Sequence, residues 1–483
     1  MKFLKLAAIS AACISVLAGC GGGDSPDAGS SFDLSGAPGS LIATPTALVT
    51  LPPVAFAATD ALTGGAKCTV SFNYFQYGTV GGAGEKTTAS GGIMVPSGSD
   101  PACTGPRPVL LYAHGTSTDK NKNMASPQDR EAGLIAAIYA AQGYIVVAPN
   151  YAGYEASTLP YHPYLNMDQQ AQDVVDALTA ARKGFAAVGA NAGPALFVTG
   201  YSQGGFVSMA AQRKLQLDGT PAVAGAHLSG PYALGLFGDL VFGGTVNVGA
   251  TLFTPLLNTS LQRAYGNLYA NPGEMYEDAY VTGIERLLPS TTPDGVLGTK
   301  LPTTAMFAPL LPGEDTKFGF GTPNLIKTSY RSAVLADADA RKYPAIPQHP
   351  LRLAAYKNDL LRQNWTPQQP MLLCAGASDP TVFYAANTAA AAAQFKALPG
   401  AAPVIEVNVD TTTPVNDGFD GARQVFAALK TDEINKALAA NPPVDPTQAV
   451  ALAYHGTLVA QSCNAAAKGY FDQVLAAAAA GPR

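Results

Sequence analysis

Ala195-Leu196-Phe197-Val198-Thr199-Gly200-Tyr201-Ser202-Gln203-Gly204-Gly205-Phe206 is the stretch on which the reading of this chain turns. Ala195 to Thr199 is a continuous apolar run of strand length, and Gly204 to Leu217 carries helical periodicity. Between them the chain must reverse within a few residues, with glycines on either side of Ser202. With 50 glycines in the chain, a G-x-S-x-G pattern alone carries little weight. Its position carries more: a serine on a strand-to-helix turn is held out from the sheet, in front of a helix N-terminus.

Outward from this turn the same alternation recurs. Val109 to Ala113, Tyr144 to Ala148 and Ala222 to Leu228 read as short buried strands, and Gln128 to Gln142 and Asp168 to Lys183 as helices. Near-continuous apolar strands alternating with helices predict an α/β fold, a mostly parallel sheet flanked by helices. Val70 to Tyr77 and Thr87 to Val95 alternate as half-buried antiparallel strands. From Tyr232 to Trp365 the βα alternation stops, which predicts a large, mainly helical cap inserted into the core. Met371 to Ala375 resumes as a strand, followed by a helix over Phe383 to Leu398, a strand over Val404 to Val409 and an Ala-rich closing helix.

The N-terminus reads differently. Lys2 and Lys5 precede an apolar stretch, Leu6 to Ala18, too short and too early for an ordinary membrane span. It ends in Leu17-Ala18-Gly19-Cys20, the pattern of a bacterial lipoprotein signal, in which Cys20 becomes the acylated N-terminus. The predicted organisation is a signal peptide over 1–19 and a flexible tether over 20–50. The core follows over 51–231 and 366–483, with the cap over 232–365. Anchoring to a bacterial cell envelope, at the outer membrane or after secretion, is the matching location. With Cys13 removed and Cys20 acylated, Cys68, Cys103, Cys374 and Cys463 remain. Four cysteines in an oxidising compartment allow three pairings. Cys68–Cys103 and Cys374–Cys463 are favoured, because each pair belongs to one end of the chain. No C-x2-C pair or neighbouring histidine suggests zinc, and no other metal or cofactor is called for. A net charge of −5 with no basic run argues against nucleic acid.

A serine hydroxyl needs a base to become a nucleophile. The chain has five histidines. His114 ends a strand, His162 and His349 sit beside prolines, and His227 falls inside a buried strand. His455, in Tyr454-His455-Gly456-Thr457 near the C-terminus, is the remaining candidate. The acid belongs on the loop after the Met371 to Ala375 strand, in Gly376-Ala377-Ser378-Asp379-Pro380, with Asp410 and Asp417 as runners-up. Ser202, Asp379 and His455 then stand in the chain order of a strand–turn–helix nucleophile, its acid and its base. Developing negative charge needs N–H donors; Gln203 supplies one by position and Thr116, after His114-Gly115, is the second candidate.

These features together resemble the α/β-hydrolase superfamily and, within it, the secretory lipase (lipase A type) family, over roughly Thr87 to Ala465. His162-Pro163-Tyr164-Leu165, Asp176, Arg182, Gly200 to Gly205, Asn358-Asp359-Leu360 and Trp365-Thr366-Pro367 add to the likeness. The resemblance implies hydrolysis of carboxylic esters, with a small-molecule or lipid ester as substrate and a cap over an acyl pocket. An extracellular polyester depolymerase is a rival, but no Thr-rich linker or binding module is evident. A tannase-like esterase would place cysteines where Tyr201 and Tyr454 stand. A peptidase lacks a preceding repeat domain here, and a non-catalytic binding lipoprotein would not need the ordered Ser, Asp and His.

Overall fold

The computed structural model of the protein describes residues 36–480. The predicted signal peptide over 1–19, Cys20 and the start of the predicted tether lie outside the described residues. Nine strands form one sheet in the order β1-β2-β3-β5-β4-β6-β7-β8-β9. They are β1 (Thr46–Leu51), β2 (Thr69–Val80), β3 (Lys86–Ser97), β4 (Arg107–Ala113), β5 (Ile145–Pro149), β6 (Ala192–Tyr201), β7 (Ala224–Leu228), β8 (Met371–Ala375) and β9 (Val404–Asn408). β1, β2 and β3 pair antiparallel, as do β3 and β5, and from β5 to β9 every neighbour is parallel.

The tether reading needs correction from residue 36 onward. Gly39 and Ile42 donate backbone hydrogen bonds to Gly78 and Gln76, Leu41 is buried, and β1 pairs with β2. β1 is an edge strand whose side chains are mostly exposed, so no apolar alternation marked it. Backbone pairing holds it, helped by Val49 and Leu51, which are partly buried against the core.

The parallel strands put alternate residues on opposite faces, as the period of two demands. Val109, Leu111, Val198 and Leu373 pack with α2 (Met167–Gly184) and α3 (Gln203–Leu217), whereas Leu110, Tyr112, Phe197 and Leu372 pack on the other side. That second face is covered by α1 (Arg130–Ile138) and by the C-terminal helices. Between β7 and β8 lies the insertion. Its longer helices are α4 (Leu234–Phe242), α5 (Ala250–Tyr265), α6 (Thr328–Ala340) and α7 (Pro350–Lys357). After β8 come α8 (Ala390–Ala397), α9 (Asp420–Ala439), α10 (Pro446–Ala453) and α11 (Ala460–Ala480).

Buried ion pairs hold the insertion together. Arg331 is clasped by both oxygens of Glu314 between the rings of Phe307 and Phe320. Arg352 bridges Asp239 and Asp337. Asn358 and Asp359 fasten the insertion's end: Asn358 accepts from Met167 N–H at the start of α2, and Asp359 from Gly235 N–H. Both expected disulfides form, Cys68–Cys103 and Cys374–Cys463, with Cα separations of 5.5 and 5.6 Å. Among the described residues no helix is long and apolar enough to cross a membrane.

Candidate active site

β6 ends at Tyr201, and Ser202 takes φ 58° and ψ −121° before α3 begins. A non-glycine residue in that region is strained, and such strain persists only where the surroundings enforce it. Here they do. A Cβ at Gly204 would stand 1.9 Å from the Ala113 carbonyl oxygen, and one at Gly200 would stand 2.3 Å from that of Gly204. Only glycines let the turn press against the end of β4, and the result lifts the Ser202 hydroxyl away from the sheet.

His455 lies on a wide turn, Tyr454–Val459, between α10 and α11. Its Nε2 is 2.8 Å from Ser202 Oγ and its Nδ1 is 2.6 Å from Asp379 Oδ2. Asp379 is buried on the loop after β8. Its Oδ1 accepts from the N–H groups of Thr381 and Val382 at 2.9 and 3.1 Å, and its Oδ2 also accepts from the Ser229 hydroxyl at 2.9 Å. A carboxylate so fully bonded is fixed in direction. Because Asp379 accepts at Nδ1, that nitrogen carries the imidazole proton, and Nε2 is left to accept from Ser202.

The two runners-up serve elsewhere. Asp410 accepts from the Tyr454 hydroxyl, and Asp417 pairs with Arg423. Nor do the other histidines reach Ser202. His227 hydrogen-bonds with Ser208 and Gln212 inside the core, and His349 packs edge-on to Tyr330 at the start of α7. His162 has a supporting place. Its Nδ1–H donates to the Ala152 carbonyl, so its Nε2 accepts from the Gln203 side-chain amide at 2.6 Å. Burial pushes His162 down to about 3, which keeps it neutral in that role.

At the Ser202 turn the backbone N–H of Gln203 opens α3 and has no acceptor among the described residues, as expected for a first helical turn. The His114-Gly115-Thr116 loop lies alongside: a Cβ on Gly115 would come within 3.8 Å of Ser202 Cβ. Gly115 N–H is occupied by Glu131, at 2.8 Å. The next N–H, that of Thr116, has no acceptor among the described residues. Its hydroxyl hydrogen-bonds with that of Tyr164 at 3.0 Å.

Sequence reasoning missed Ser229, Glu131 and the two tyrosines. Tyr201 lies tilted against the His455 ring and donates to the His455 carbonyl. Tyr454 accepts from Ser378 N–H on the acid loop. Their places next to Ser202 and His455 were visible; their hydroxyl partners, far away in sequence, were not. Ser202 and Gln203 open into a cavity roofed by the insertion, with Leu234, Phe237, Phe253, Leu257, Leu351 and Val382 among its walls.

A hydroxyl, an imidazole and a carboxylate in line, on an α/β sheet beside an apolar cavity, define a carboxylic ester hydrolase of the α/β-hydrolase fold. The model of the secretory lipase family matches residues 127–365. A ligand-bound structure of the rice cell wall degrading esterase LipA from Xanthomonas oryzae is 27% identical. The match covers 89% of this chain and 97% of that one, with a TM-score of 0.69. Another structure of that esterase is 28% identical, over 78% of this chain and 92% of that one, with a TM-score of 0.66. A putative hydrolase from Legionella pneumophila shares the fold at 20% identity, with 77% and 92% of the two chains covered and a TM-score of 0.61. A search of curated proteins returned no match.

Proposed function

We propose that the protein is an exported, lipid-anchored serine lipase or esterase that cleaves its substrate through an acyl-enzyme on Ser202. The observation that carries this reading is the line Ser202–His455–Asp379, with contacts of 2.8 and 2.6 Å. Ser202 Oγ attacks the ester carbonyl while His455 Nε2 takes the hydroxyl proton. Asp379 orients the imidazole and stabilises the imidazolium without taking the proton itself. The oxyanion accepts from the two unpartnered N–H groups of Gln203 and Thr116, a pair of donors of the kind worth about 3 kcal/mol each. Collapse breaks the bond to the alcohol oxygen, which leaves with the proton from His455. Water, deprotonated by the same nitrogen, then releases the acid and restores Ser202.

The apolar cavity against Ser202 favours an acyl chain as the occupant of that side, from short esters to acyl glycerols. Export is supported by two disulfides and by the secretory lipase match, and the anchor by the Leu17 to Cys20 sequence. A fluorophosphonate probe tests the chemistry. Labelling of the wild type and none of Ser202→Ala is the expected pair of results, and an unlabelled wild type removes the enzyme reading. Turnover of p-nitrophenyl esters from short to long chains then ranks the acyl preference. For the anchor, Cys20→Ser should move the protein from the membrane fraction to the soluble one; unchanged partitioning rules the anchor out.

A further inference from the structure

Glu131 is a largely buried carboxylate that the acyl-transfer steps do not use, and it binds Gly115, the residue before a proposed oxyanion donor. Its Oε1 accepts twice, from Gly115 N–H at 2.8 Å and from the Tyr112 hydroxyl at 2.9 Å. Its Oε2 meets Lys122 Nζ at 3.0 Å, and Lys122 also reaches Asp129 Oδ1 at 2.9 Å. Asp129 in turn caps α1, accepting from the N–H groups of Glu131 and Ala132. The carboxylate is therefore held by a helix start, an ammonium and a phenol, and it presents its remaining acceptor capacity to the loop.

The rest of that loop is tied from the other side. Tyr151 donates to the His114 carbonyl, and the His114 ring lies between the carbonyls of Gly115 and Asn150. Of the two successive N–H groups on this loop, the one on Gly115 is taken by Glu131 and the one on Thr116 has no acceptor among the described residues. A carboxylate bonded to the loop that carries an oxyanion donor would oppose the developing charge unless neutralised. Lys122 answers that: burial pushes Glu131 up, but Lys122, His114 and the Gly115 N–H more than offset it and hold the carboxyl below its ordinary range. It stays ionised, and its charge is spent on the ammonium and the loop.

We infer that Glu131, clamped by Lys122, is a positioning residue that captures Gly115 N–H and thereby aims Thr116 N–H at the reacting oxygen. The inference rests on the acyl-Ser202 reading, and it concerns transition-state charge more than substrate binding. Its signature is a fall in kcat with little change in KM, and a matching loss of affinity for a tetrahedral probe.

The test compares wild type, Glu131→Ala and Glu131→Gln on a short p-nitrophenyl ester and with an alkyl boronic acid, which forms a tetrahedral adduct on serine. Glu131→Ala should lower kcat by about 10- to 100-fold, in the range that misplacing one oxyanion donor costs, with KM changed by less than about threefold. Boronate inhibition should weaken by a similar factor. Glu131→Gln still accepts from Gly115 N–H and should recover most of the loss. Wild-type kcat and boronate affinity in Glu131→Ala would overturn the inference, as would equal damage in Glu131→Gln. Should Glu131→Ala not fold, Lys122→Met decides: a lower kcat at unchanged KM supports the clamp, and an unchanged kcat overturns it. Fluorophosphonate labelling separates the levels, since an unlabelled wild type sinks the Ser202 reading, whereas a labelled wild type beside an indifferent Glu131→Ala sinks only this one.

Discussion

Ser202, His455 and Asp379 touch across 253 and 76 positions of sequence, so their contribution should be that of one unit. Ser202→Ala and His455→Ala are each expected to lower kcat by about 10⁴-fold or more, and the double variant to be little worse than either. Steady-state rates on one chromogenic ester suffice, and additive losses would mean that the two do not share a proton. These three residues were legible because each sits where a general rule points: a Gly-flanked serine after an apolar strand, an acid after a later strand, a histidine last. The Asp379-Pro380-Thr381 turn adds what the sequence reading did not use, since the carboxylate caps the following N–H groups. Ser229 was not legible. It bonds Asp379 from the end of β7, at φ 47°, and no local pattern distinguishes it from any other serine after a strand. Glu131 looked like an ordinary first-turn acid of α1, and only tertiary structure gives it the Gly115 N–H.

Among elements, the core strands were legible because burial on both faces writes a continuous apolar run. β1 was not, since most of its side chains face solvent and only Val49 and Leu51 touch the core. The closing region also resolved further than expected, into α9, α10 and α11 with a wide turn that carries His455. Wide turns of this kind recur at functional sites, because they re-aim one side chain without ending the helix. The two disulfides act on different parts of this frame. Cys374 is the last residue but one of β8, five residues before Asp379, and Cys463 lies in α11, eight residues after His455. That bridge ties the acid strand to the base helix. Cys68–Cys103 joins the segments preceding β2 and β4, away from the triad. Replacing either pair by serine should lower unfolding stability by roughly 2–4 kcal/mol. At temperatures where both variants stay folded, only the Cys374/Cys463 pair should lose kcat as well. Equal kcat in the two variants would show that the bridge near the triad is a staple for stability alone.

For the whole molecule, pH dependence is a sum of opposed terms. Burial pushes Asp173 up to about 7, and Asp176 and Asp359 up to about 6, against an ordinary 3.8. Between about pH 4 and 7 the native state therefore holds protons that the unfolded chain has released, and these carboxyls make stability fall as pH rises through that window. Burial pushes His162 and His227 down to about 3, against an ordinary 6.5. There the unfolded chain holds the extra protons, so these imidazoles make stability rise with pH between about 3 and 6.5. The two sets oppose each other over most of the same range, and the wild-type profile should be shallow between pH 4.5 and 6.5. A single substitution exposes what the sum conceals. Asp173 is fully buried, accepting from the Tyr77 hydroxyl and the Ala152 N–H at 2.7 Å each, and Asn is close to its shape. Asp173→Asn cannot ionise, so the variant escapes a cost that the wild type incurs increasingly as pH climbs past 5. Urea unfolding at pH 5, 6.5 and 8 should show the variant gaining on the wild type as pH rises, by an amount on the order of a few kcal/mol at full ionisation. A difference between the two proteins that does not change with pH would mean that Asp173 titrates in the folded chain as it does in the unfolded one.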